Sequence, residues 1–452
     1  FGDRDFYAQV VAVVVPIIIQ NTVSNVVSLL DNVMVGRVGT LQMSAVAIVN
    51  QLLFVFNLCI FGGLAGAGIF ATQYAGAHDD KGVRDCFRVK WMIALSMLAC
   101  ALVVLIAFPK RLIGMYLAQE TAQADAAATL GFGMDYLTVM LWGLLPFGVS
   151  QVYASTLREV GETRLPMFAS VAAILVNLVF NYFLIFGKCG FPELGVEGAA
   201  ISTAFSRGIS MVLLFVILFR KHIPRFPLAY FRPFPWPELK NLMKVGLPSA
   251  GEQLSYSSSQ VVITFFINML GVEALATRTY CVNIIMFAYL FSISMAQGGA
   301  ICIGHLIGEK KPRAAFLMGK YVMKKSVMIT VILSCVLAIF GHTIFSWLTA
   351  NPEIISMGTT ILMIDVVLEI GRPINIFATN ALRAAGDVNY PFYVGLVVMW
   401  SVAVGLGYLF GIPLGWGICG MWVAFLLDEN IRGAIFVRRW YSMKWANKSF
   451  VR

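Results

Sequence analysis

A single carboxylate, Asp31, ends a largely apolar run that carries no charge from Phe6 to Leu30. Gly36 and Gly39, on either side of Arg37, mark a turn at the outer end of that run. At 1.5 Å per residue, Asp31 lies about 7–8 Å inside this boundary if the run is helical. A bare carboxylate at that depth costs roughly 2–3 kcal/mol, so it needs partners or a proton. Asn177 and Asn181 stand four residues apart and share one helix face, and Thr203 offers a hydroxyl. One carboxylate among amide and hydroxyl oxygens suits a hard monovalent cation such as Na⁺. The same cluster could hold a proton on Asp31, because burial disfavours a bare charge. Two plainer readings stay open: an acid near the interface reached by water, and asparagines that join helices by hydrogen bonds.

A second group of charges lies in the other half of the chain. Glu252 comes one turn after Pro248, Arg278 stands early in the next apolar run, and Asp365, Glu369 and Arg372 share a third. Glu369 and Arg372 are three apart and can pair along a helix. The group is either an ion-pair network that fixes helix packing or part of a ligand cavity with Tyr256. If Arg278 and Arg372 face a cavity unpaired, an anionic or zwitterionic solute suits it. If Glu252, Asp365 and Glu369 neutralise them, the cavity is nearly neutral. Pairing is the expectation, since an unpaired arginine inside a membrane is expensive. Arg207, Asp428 and Glu429 are open in the same way. Met286, Phe287, Phe291, Met295 and Phe377 are candidates for a promiscuous lining, although such residues more often serve as core or face lipid.

Other chemistries find little support. The eight cysteines are scattered with no CxxC, and the four histidines are isolated. No phosphate loop or nucleophile motif is visible. The expectation is a protein that is not an enzyme, has no cofactor, and binds no metal beyond a possible Na⁺ at Asp31.

The elements that must position these residues are membrane helices. The chain is 59% hydrophobic and 12% charged, against about 25% charged in soluble domains. Its apolar runs are long enough to cross a hydrocarbon core of roughly 30 Å as helices. Twelve spans fit, near 6–36, 41–75, 89–108, 130–156, 165–187, 196–219, 246–269, 274–307, 321–345, 355–382, 391–411 and 417–437. The fold class is all-α integral membrane, with twelve transmembrane helices in two pseudo-symmetric six-helix lobes. The lobes are expected at 1–219 and 246–452, joined by a proline-rich cytoplasmic linker at 220–245. Pro237 and Glu238 read as the start of a short helix running into the seventh span.

Net charge +10 reflects basic loops on one side rather than nucleic-acid binding. Lys81, Arg84, Arg88 and Lys90 fall between spans two and three. Lys310, Lys311, Arg313, Lys320, Lys324 and Lys325 fall between eight and nine. The opposite side carries only Arg37, Lys110, Arg111 and Lys188, which places both termini in the cytoplasm. The chain begins at Phe1, so a short native N-terminus is expected to precede it. No cleavable signal is visible.

The halves repeat. LREVGETRLPMF is echoed by LRAAGDVNYPFY at an offset of 225, with Gly161 matched to Gly386. Pro16/Pro248, Gly39/Gly271 and Gly76/Gly308 share an offset of 232. With an even number of spans per half the repeats are parallel, and a cavity between them is expected.

These segments, with LLDNVMVGRVG, ATQYAGAHDDKG, LVNLVFNYFLIFGKCGFPELGVEGAAIST and IGHLIGEKKPRAA, resemble the multidrug and toxic compound extrusion (MATE) transporters. The resemblance covers nearly the whole chain. It implies two six-helix lobes in a V shape and export of small organic solutes, driven by inward Na⁺ or H⁺. It also implies a plasma-membrane monomer whose partners are its solute and membrane lipids. Asp31, Asn177, Asn181 and Thr203 fall on the places such transporters use for cation or proton coupling, although some relatives have aspartate at the position of Asn181. Some also have acids at the positions of Tyr256 and Arg372. Both are replaced here, with Glu252 and Glu369 about one turn away, so the resemblance does not carry a cation site into the second half. A lipid-linked-precursor flippase of the same superfamily and a major facilitator transporter are the alternatives.

Overall fold

The computed structural model describes residues 4–117, 123–220 and 236–450. Regular structure among them is helical throughout. The long helices are α1 (Arg4–Gly36), α2 (Thr40–Gly76), α3 (Asp80–Ala107), α5 (Gln123–Glu159), α6 (Arg164–Phe186), α7 (Gly195–Arg220), α8 (Trp236–Met269), α9 (Val272–Gly308), α10 (Pro312–Ile339), α12 (Pro352–Ala384), α13 (Asn389–Gly411) and α14 (Gly417–Tyr441). Short helices α4 (Pro109–Gly114) and α11 (Gly341–Leu348) lie between them. Ten of the helices among the described residues are long and apolar enough to cross a membrane. The other two long ones, α8 and α14, match the seventh and twelfth expected spans but carry more charge.

Helices α3 and α10 start about nine residues earlier than the apolar runs suggest. The basic residues assigned to loops at Lys81–Lys90 and Arg313–Lys320 are helical. Hydropathy is blind to charged turns that extend a helix beyond the apolar layer, whereas propagation gains one hydrogen bond per residue. Asp80 in the first turn of α3 and Pro312 at the start of α10 are the starts that helix chemistry favours. Much of the expected linker lies outside the described residues. From Trp236 onward the chain is helical, and Lys240 and Lys244 stand on α8.

The chain divides into two compact units. One comprises Ile19–Ala71 and Lys81–Gly246; the other comprises Phe1–Ile18, Thr72–Asp80 and Leu247–Arg452. The first has a core of Val49, Leu53 and Ile60 on α2 packed with Leu137, Leu144 and Val152 on α5 and Ala200 on α7. In the second, Met295, Met318, Phe377 and Trp440 form one core cluster, and Ile267, Ile361, Leu368 and Met421 another. Phe377 and Met295 are therefore core residues, not cavity lining.

The internal repeat recurs in local geometry. Gly161 (φ 93°) and Gly386 (φ 97°) both close a helix in the left-handed region. Each sits in the same hydrogen-bond pattern: Glu162 N–H donates to Leu157 O at 2.9 Å, and Asp387 N–H to Leu382 O at 2.8 Å. That wrapped end needs a residue tolerating positive φ. His78 (φ 56°) and Lys310 (φ 57°) repeat the relation at the ends of α2 and α9, with Asp79 N–H to Tyr74 O and Lys311 N–H to Leu306 O at 2.9 Å each. Gly76 and Gly308 allow the two ends to touch: a Cβ on Gly76 would meet the His305 backbone, and one on Gly308 the Gln73 backbone.

Helix α13 is irregular in its middle, with a π-helical stretch at Met399–Leu406. Such stretches recur at functional sites because they widen one turn.

Candidate functional site

Asp31 comes from α1, Asn177 and Asn181 from α6, and Thr203 from α7. The structure brings all four together. Asn181 Nδ2 donates to Asp31 Oδ1 at 2.7 Å. The Asn177 amide satisfies its neighbours with Nδ2 toward Asp31 Oδ2 at 3.0 Å and Oδ1 accepting from Thr203 Oγ1 at 3.3 Å. Both carboxylate oxygens are thus clasped by amides on consecutive turns of one helix. Asn177 and Asn181 are buried, and Asp31 is half-buried. Ser202 fixes the α6–α7 contact by donating to the Asn177 carbonyl at 2.8 Å. Asn181 Oδ1 is buried without a hydrogen-bond partner. A buried amide oxygen beside a carboxylate is a pair that a hard cation would bind. The donor set fits Na⁺ in kind; a proton on Asp31 uses the same carboxylate.

Sequence reasoning missed Tyr136 and Asn50. Tyr136 of α5 donates its hydroxyl to Asn50 Oδ1 of α2 at 3.2 Å, and lies within electrostatic reach of both Asp31 and Arg207. Arg207, one turn beyond Thr203, stands 4.8 Å from the Phe147 ring. No carboxylate among the described residues pairs with it. Tyr136 had no periodic signal to mark it.

The same unit buries a third polar group. Lys90, expected in a loop, is fully buried in α3. It is ion-paired with Glu159 of α5 and donates to Ser155 Oγ at 3.1 Å. A long stem among apolar neighbours, ending on an acid at the start of a turn, was the available signal.

In the other unit the charges sort into pairs. Arg372 bonds Glu369 one turn away and reaches Asp365 at 3.3 Å. Asp365 also accepts from Ser334 Oγ at 3.4 Å. Glu252 does not join them: it pairs with Arg383 of the repeated LRAAGDVNYPFY segment, which was not expected as its partner. Arg432 holds Asp428 and lies 3.4 Å from Glu429, whose other oxygen accepts from Asn375 Nδ2 at 2.7 Å. Arg278 is the exception to the expected neutralisation. Its guanidinium donates to Thr264 Oγ1 and, at 3.1 Å, to Gln260 Oε1, both neutral. A cavity of about 180 Å³ lies among α8, α9, α12, α13 and α14, and Tyr256, Arg278, Arg372 and Met286 line it. Phe287 instead points outward, 47% exposed.

The matches to known proteins follow this architecture. The MatE family model matches residues 16–183 and 248–409, two segments beginning at the repeated prolines Pro16 and Pro248. The chain is 32% identical to the uncharacterized transporter YisQ of Bacillus subtilis (strain 168), over 92% of this chain and 90% of that one. It is 23% identical to the probable multidrug resistance protein NorM of Thermotoga maritima, over 98% and 93%. Its fold is similar to that of a multidrug resistance MATE family transporter solved in an outward-facing conformation. That likeness has a TM-score of 0.87, at 20% identity over 98% of this chain and 97% of the other. A twice-matched family model, opening at the two repeated prolines, makes this chain a member of the MatE family, a multi-pass membrane transporter of the MATE type.

Proposed function

We propose that the chain is a secondary active antiporter that exports small organic solutes by alternating access, with Asp31 coupling export to inward Na⁺ or H⁺. The single observation carrying this is the clasped carboxylate: Asp31 held by Asn177 and Asn181 beside the unpartnered Asn181 Oδ1. An acid kept inside an apolar layer at this cost binds something that comes and goes. Multidrug resistance proteins among its relatives support export as the direction. The protein acts as a monomer in the plasma membrane, with both termini cytoplasmic. The basic stretches at Lys81–Arg88 and Lys310–Lys325 support that orientation, without the buried Lys90.

The flippase alternative would need a lateral groove with a phosphate-binding end. The groove between α5 and α7, about 650 Å³, is lined by Val139, Trp142, Phe205 and Val212 among other apolar residues and by no charged one. It does not favour that alternative.

The test is efflux from proteoliposomes with Na⁺ and H⁺ gradients imposed separately, for cationic, zwitterionic and anionic solutes. Uphill movement driven by one gradient and collapsed by its ionophore is expected. Flux indifferent to both gradients would remove the antiport reading.

A further inference from the structure

The cavity of the C-terminal unit has an unusual charge inventory. Three arginines (278, 372 and 432) and two carboxylates (Asp428 and Glu429) line it. Both lining acids are occupied: Asp428 gives both oxygens to Arg432, and Glu429 divides its oxygens between Arg432 and Asn375. Arg372 is neutralised from outside the lining by Asp365 and Glu369. Arg278 alone among these arginines has no carboxylate partner among the described residues. Its fork is held open by Gln260 and Thr264. The Tyr256 side chain lies within electrostatic reach of all three arginines and of Glu429.

We propose that this cavity binds the carboxylate of a small aromatic solute, with Arg278 as the anchor. A guanidinium positioned by neutral acceptors keeps its full charge and its planar fork, the geometry that takes a carboxylate through two parallel hydrogen bonds. An ammonium has no counterpart, because each acid on the wall is already paired. Size sets the rest of the ligand. A cavity of roughly 150 Å³ takes one benzene ring, and this one measures about 180 Å³. Tyr289, Trp422 and Phe425 supply aromatic walls, and Met286 a deformable one. The π-helical stretch of α13 contributes Met399 and Ala403 to the wall. The solute class is therefore a one-ring monocarboxylate.

The inference rests on the transport reading for its purpose, but its test needs no transport. Binding of radiolabelled benzoate to the purified protein in detergent is measured at equilibrium, with methyl benzoate and benzylamine as competitors. Saturable benzoate binding near one per chain is expected, displaced by neither competitor. Arg278→Gln should weaken it at least tenfold. That change strands no buried carboxylate, so the fold should hold; melting in detergent checks this. Met286→Trp, which fills the cavity and leaves Arg278 in place, should weaken binding comparably. Absence of benzoate binding to the well-folded protein would overturn the proposal, as would equal binding to Arg278→Gln or displacement by methyl benzoate. A protein that binds benzoate through Arg278 yet moves no solute under any gradient would overturn the transport reading and leave the site standing.

Discussion

At the scale of single residues, buried charges divide by what faces them. Asp31 accepts hydrogen bonds from two amides and has no cationic partner among the described residues. Its shape, unlike its charge, is easily replaced. Asp31→Asn should therefore leave melting nearly unchanged while abolishing gradient-driven efflux in proteoliposomes; unchanged coupled flux would dismiss Asp31 from the mechanism. Arg372 and Lys90 behave oppositely, because removing either takes a cation away from a buried acid. Arg372→Ala leaves Asp365 and Glu369 without their guanidinium, and Lys90→Met leaves Glu159 without its ammonium. Breaking a buried pair by removing one member costs about 3–5 kcal/mol. Each variant should melt well below wild type in detergent. The double variant Lys90→Met/Glu159→Gln should recover part of that loss, and failure to recover would mean that the lysine stem, not its charge, holds the site.

At the scale of elements, close helix crossings set what the sequence can tolerate. The ends of α2 and α9 approach through Gly76 and Gly308, and a Cβ on Gly308 would lie 2.9 Å from Ala77 N as well as on the Gln73 backbone. Neighbouring Gln73 is itself committed, donating to Ala384 O at 2.7 Å and accepting from Phe450 N–H at 2.9 Å. Backbone there has no side chain to swing aside. Gly308→Ala should destabilise by about 1–3 kcal/mol through overpacking. Gly131→Ala in α5, where a Cβ meets nothing within 4 Å, should be neutral or stabilising by up to about 1 kcal/mol. Thermal melting of the two variants side by side is the measurement, and equal effects would refute the crossing argument.

At the scale of the whole molecule, orientation follows from where the basic residues lie. Cys189, exposed in the loop between α6 and α7, should be labelled by a membrane-impermeant maleimide added to intact cells. A cysteine replacing Lys310 should react only after permeabilisation. Cys59 and Cys100 are exposed too, but they lie within the apolar membrane-crossing helices α2 and α3, so Cys189 is the loop cysteine that this labelling reads. Loss of the label in Cys189→Ser identifies the site, and the reverse pattern would invert the topology.

Much of this architecture was legible in the chain, because a bilayer imposes one rule on every span: enough apolar residues to cross and no unsatisfied backbone. That rule, read with basic-residue bias and fixed-offset motifs, determined the helices, their order and the repeat. The glycines at 161 and 386 were legible for the same local reason, since each has to adopt positive φ at a helix end. Asp31 and the Asn177/Asn181 pair stood out because an isolated charge and helical spacing are one-dimensional facts, and the resemblance to the MATE transporters set them on one site with Thr203. Pairing is not. That Glu252 takes Arg383 rather than Arg372, that Lys90 is buried on Glu159, and that Arg278 is left to neutral partners depends on which helix faces pack together. Charges in an apolar medium seek the nearest partner in space, and that distance is fixed only by tertiary structure.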